Sequence, residues 1–153
     1  MSGILTDAGA LEILNAIFGE EETPTSFELM LYTTTITQGD KTTSANIVEA
    51  TGGYPGMKTM QLSAATAALS GVEPSAIPEV TWKGPRDVGV ADGYEFKFTG
   101  APAANTPTIK GYAVISSSGT LLFFENITEW AHENDGDKLI IIPKFRLGNG
   151  TPT

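Results

Sequence analysis

Hydrophobic and polar positions along this chain change period once. Between Thr6 and Gly19, Ala8, Leu11, Leu14, Ile17 and Phe18 recur at three- and four-residue spacing, which marks a helix with one apolar face. Thr6 or Asp7 can cap its start, and Gly19 stands where a glycine closing the last turn belongs. A helix is therefore predicted over 6–19, about 18 Å long. Its apolar stripe is expected to pack on a sheet; the rival reading makes it a docking element for a neighbouring subunit. Glu20-Glu21-Glu22 follow at the negative end of the helix dipole, an unfavourable place for carboxylates, so the helix should be short and open into an exposed loop.

Beyond the helix the period becomes two. Phe27-Glu-Leu-Met-Leu-Tyr32 puts Phe27, Leu29 and Leu31 on one face, and Tyr94-Glu-Phe-Lys-Phe98 turns Tyr94, Phe96 and Phe98 inward. Further strands are predicted near 59–65, at Glu79–Trp82, and at about 108–116, 120–126 and 138–146. The last three are separated by Ser-Ser-Ser-Gly and Asn-Asp-Gly-Asp turns and read as a meander over 108–148. Residues 33–56 are polar, rich in Thr and Gly, and hold few apolar residues, so they are expected to form a long surface loop or an arm ordered against a partner. The sum is one mainly β domain over 1–153: an antiparallel β-sandwich of seven to eight strands with one short N-terminal helix.

Composition narrows the function classes. The chain has 153 residues, 41% hydrophobic and 18% charged, which suits a folded core and not disorder. It has no Cys, so disulfides and thiolate chemistry are excluded. A net charge of −9 with scattered basic residues argues against nucleic acid as a partner. No apolar run approaches a membrane span, and the first residues lack the basic start of a signal peptide, so synthesis in the cytoplasm is expected.

Candidate chemistry is sparse. His132 is the single histidine, which rules out a site built on two or three histidines. Glu133-Asn-Asp-Gly-Asp137 departs from calcium-loop spacing and reads as a hairpin turn. Ser116-Ser-Ser118-Gly119 is not a nucleophile elbow, and Gly52-Gly-Tyr-Pro-Gly56 lacks the lysine of a phosphate loop. Glu125, closing Leu-Leu-Phe-Phe, either ends its strand on the solvent side or is buried and paired. Trp82 is expected in the core, while Trp130 has exposed-looking neighbours. No catalytic residue, cofactor or metal ligand is assigned; the candidate partner contacts are Thr37, Thr42, Tyr54 and Trp130.

One resemblance adds to this. The order Ile109-Lys-Gly-Tyr112, Gly119-Thr-Leu-Leu-Phe-Phe-Glu125 and Asp137-Lys-Leu-Ile-Ile-Ile-Pro143-Lys-Phe145-Arg-Leu-Gly resembles the C-terminal half of small structural proteins of tailed-bacteriophage virions. Those proteins also tend to begin with a short helix, continue into a Leu-x-Leu-Tyr/Phe strand and a polar loop, and later carry a Trp-bearing strand, places held here by 6–18, Phe27–Tyr32 and Glu79–Trp82. The resemblance implies a non-enzymatic virion protein, first of all a capsid decoration (cement) protein bound to major capsid proteins, in a homo-oligomer or symmetric array. A tail, baseplate, head–tail or fibre component is the second reading. A carbohydrate-binding module, reading glycans with Tyr54 or Trp130, is the alternative of another class.

Overall fold

The computed structural model describes residues 3–19, 26–37, 39–50, 58–61, 66–70, 79–83, 93–102 and 107–147, with only the backbone described for the strands at 58–61, 66–70, 79–83 and 144–147. The chain is mainly β, with one α-helix and antiparallel sheets. In chain order the elements are β1 (Ile4–Leu5), α1 (Asp7–Phe18), β2 (Ser26–Tyr32), two single 3-10 turns (Gly39–Lys41 and Ser44–Asn46), β3 (Lys58–Gln61), β4 (Thr66–Ser70), β5 (Glu79–Lys83), β6 (Tyr94–Lys97), β7 (Ile109–Ser116), β8 (Leu121–Trp130), β9 (Lys138–Ile141) and β10 (Lys144–Leu147).

Among the described residues the strands form three sheets: β1-β8-β7-β2-β3, β10-β5-β4, and the ribbon β6-β9. One difference from the predicted strands has a local cause. The strand read as continuous over 138–146 is interrupted before Lys144, because Pro143 has no N–H to give a ladder. β9 then pairs with β6, and β10 crosses to pair with β5. The last three strands are therefore not a meander: β8 has β7 on one side and β1 on the other. Prediction near 59–65 covers only β3, and β4 follows as a separate strand in another sheet.

The large sheet is buried on both faces. On one, Leu29, Leu31, Tyr112, Val114 and Phe123 meet Tyr94, Phe96, Phe98 and Ile141 of the ribbon region. Inward alternation in β6 is as its spacing predicts. On the other face Met30, Tyr32, Ala113, Leu121 and Phe124 are covered by Ile36 and Ile47. As far as residue 50, this corrects the expectation that 33–56 is too polar to pack: Ile36 lies in that second layer, Ala50 joins the first, and Thr42 is buried. The segment crosses the sheet and returns to its edge, where Ala50 N–H donates to the Leu31 carbonyl at 2.9 Å and Glu49 bridges Tyr32. Two buried apolar side chains, Ile36 and Ala50, with the half-buried Ile47, hold this otherwise polar stretch.

Candidate functional site

The helix forms where its periodicity predicts, but it docks by the opposite face. Thr6 is the N-cap: its hydroxyl oxygen accepts from Gly9 N–H at 2.9 Å and lies against the carbonyls of Leu121 and Leu122, 3.1 Å from the latter. Thr6 N–H also donates to Leu122 O at 2.9 Å. Gly9 is the one buried residue of α1, and a Cβ there would stand 2.3 Å from Leu122 O. A missing side chain thus lets the helix backbone rest directly on β8. One turn on, the Glu12 carboxylate accepts from Ser116 Oγ at 3.1 Å and from Ser118 Oγ at 3.2 Å.

With Thr6, Gly9 and Glu12 turned to the sheet, helical geometry directs the other side outward. Leu11 is 59% exposed, Leu14 52%, Ile17 64% and Phe18 82%. At 100° per residue these four span roughly 120° of arc. The expectation that this stripe packs on the sheet is therefore overturned; the small residue, and not the large ones, makes the internal contact. Gly19 closes the helix as its position predicts, in an extended conformation with φ −90°, and its N–H donates to Asn15 O at 2.7 Å.

The loop over the second face is held by a side chain that acts as a strand. Asn126 Nδ2 donates to Ile36 O at 2.8 Å, while its Oδ1 accepts from Ile36 N–H at 3.2 Å and from Tyr32 Oη at 2.9 Å. Burial first, and the Glu125 charge second, raise the Tyr32 pKa well above the usual tyrosine range, so the hydroxyl stays a donor. Gly111 makes room for that ring, since a Cβ there would stand 2.2 Å from Tyr32 Oη. Glu125 is half-buried and accepts from Tyr112 Oη at 2.6 Å, nearer the paired reading than the solvent-edge one.

The candidate contacts fall in different places. Thr37 is exposed, beside Ile36. Thr42 is 1% exposed, so in this conformation it offers nothing to a partner, and its Oγ1 has no hydrogen-bond partner. Tyr54 lies outside the described residues. Trp130 closes β8, half-buried, with its ring 4.7 Å from that of Phe98 and tilted by 38°. It borders an open cleft of about 360 Å³, lined also by Glu129, Glu133, Asn134, Asp137 and Lys138. Asp137 is committed to the turn: its Oδ2 accepts from Glu133 N–H and Asn134 N–H, both at 2.8 Å, and these bonds lower its pKa. His132 is buried against Phe98, its Nε2 2.8 Å from Asn134 O. Trp82 lies on β5, where only the backbone is described.

Among the described residues no group of three or more His, Asp or Glu side chains is placed to hold a metal ion. No described helix is long and apolar enough to cross a membrane. Compared with protein-family models, with curated proteins and with solved structures, the chain matches none. The outward stripe of α1 is thus the surface feature with the clearest chemical meaning. Four large apolar side chains exposed side by side on one helix face are a contiguous patch, unlike apolar residues scattered singly over a surface.

Proposed function

We propose that this chain is a non-enzymatic structural protein of a tailed-bacteriophage virion, first of all a capsid decoration protein that clamps major capsid proteins in a symmetric array. One observation carries the reading: Leu11, Leu14, Ile17 and Phe18 face outward from a helix that is already anchored to the sheet by its other side. A helix held that firmly presents its stripe at little further cost in conformational freedom, which favours binding. The order of core and turn motifs over 109–148, which resembles that of small virion proteins, supports the same reading. We read the finer architecture as a sandwich in which the β6–β9 ribbon faces the large sheet. Repeated copies on a shell would make each small interface effective through avidity.

Copy number in purified particles tests this. A decoration protein is present in numbers comparable with the major capsid protein; a tail, baseplate or fibre component appears in threes, sixes or twelves. Absence from particles removes both. A second class of function rests on Trp130, whose ring borders the polar cleft over Glu129–Lys138. A carbohydrate-binding module would show a saturable change in Trp fluorescence on titration with oligosaccharides, and Trp130→Ala would abolish it.

A further inference from the structure

On the reading of the chain as a virion protein, we infer that the α1 stripe is received by an apolar groove with a Lys/Arg-bearing rim on a neighbouring virion subunit. The apolar half of this follows from exposure: Phe18 at 82% and Ile17 at 64% gain most from leaving water. The basic half follows from charge. No Lys or Arg occurs in Asp7–Phe18, Asp7 lies in the first turn, and the last turn carries no basic residue to meet the negative end of the dipole. Glu20, Glu21 and Glu22 follow Gly19 in the sequence. The helix thus carries no positive charge of its own and a carboxylate in its first turn, on a chain of net charge −9.

The same charges disfavour the other occupants. Two copies paired through α1 would bring together two chains of net charge −9 along helices that carry no Lys or Arg to offset the repulsion. Helices that lie on membranes carry Lys and Arg on the polar face to meet anionic lipid, and α1 has none. A basic-rimmed groove satisfies the stripe and the acidic chain that bears it together. Charge at the rim would set the association rate and the salt dependence, while the apolar anchors would set the lifetime.

The test uses particles assembled without this protein, titrated with purified wild-type chain and with Leu14→Glu and Phe18→Glu. Wild type should bind, more weakly as salt rises from about 0.05 to 0.5 M, and each variant should lose roughly thirtyfold or more in affinity. Both variants should melt close to wild type as free proteins, because positions 14 and 18 face solvent and a carboxylate at the end of the dipole costs no more than about 1 kcal/mol. Wild type binding with the variants unimpaired would overturn this inference while leaving the virion reading standing. Wild type failing to bind would overturn both. Binding that strengthens with salt would remove the basic rim. Three further results would also overturn the proposal: a melting loss of core size in the free variants, a dimer of the free chain that Phe18→Glu dissociates, or co-flotation of the chain with phosphatidylcholine/phosphatidylglycerol vesicles.

Discussion

Gly9→Ala sets two effects of opposite sign against each other, and the docking geometry decides between them. Ala is the better helix former by up to about 1 kcal/mol, so propensity alone makes the variant more stable. Against this, the new Cβ would stand 2.3 Å from Leu122 O and 2.6 Å from Leu122 Cα, both backbone atoms that cannot swing aside. Ordinary carbon contacts need about 3.5–4 Å, so the first turn must lift by roughly 1 Å. That movement stretches the Thr6 bonds to Leu121 and Leu122, each contributing about 0.5–1.5 kcal/mol. Overpacking of this kind costs typically 1–3 kcal/mol, and the expected net result is destabilisation by about 1–2 kcal/mol. Leu14→Ala is the companion: half exposed, it should cost less than about 1 kcal/mol. Urea unfolding of the three proteins at matched m-values reads both numbers. A stabilised Gly9→Ala with a Leu14→Ala loss of about 2–5 kcal/mol would mean that the helix is docked by its leucines, and the outward stripe would be refuted.

Other perturbations follow from the same contacts. Phe123, 1% exposed and edge-on to the Tyr112 ring at 6.5 Å, should cost about 3–5 kcal/mol on change to Ala, and a loss below about 1 kcal/mol in urea unfolding would contradict its place in the core. Asn126→Ala removes both bonds to Ile36, so hydrogen exchange at the Ile36 amide should accelerate far more than at Val114; equal acceleration would deny the latch. Asp137 has a lowered folded pKa, so its stabilisation is present above the unfolded carboxylate value and is lost as pH falls through the folded one. The melting difference between wild type and Asp137→Asn should therefore be largest near neutrality and shrink below about pH 4; a constant gap from neutrality to about pH 2 would show that the turn bonds do not depend on the charge.

Local pattern reached the elements and stopped at what covers them. Period two in Tyr94–Phe98 identifies the inward ring set because one face of that strand is wholly aromatic. In Phe27–Tyr32 the same rule marks Phe27, Leu29 and Leu31, yet Met30 and Tyr32 on the other face are equally buried, since a distant loop lies over them. Period 3.6 in α1 shows a stripe but not its partner; the decisive residue, Gly9, has no side chain to register in such a pattern. Pro143 did carry a readable signal, the missing ladder donor that divides β9 from β10. The Asn126–Ile36 latch joins positions 90 residues apart, and the Ser118–Glu12 bond positions 106 apart, so neither leaves a local trace. Of the four candidate contacts, Thr42 shows the same limit: a polar residue in a polar run gives no sign that its loop folds inward.

The proposed role is to strengthen a virion shell by binding to it. The direct measurement compares thermal rupture of particles with and without the protein, matched for genome content, by release of DNA to an intercalating dye. A component that binds only the assembled lattice stabilises it by linkage, so particles carrying the protein should rupture at a higher temperature, and adding the purified chain back to deficient particles should restore the difference. Identical rupture temperatures in the two populations would contradict the account.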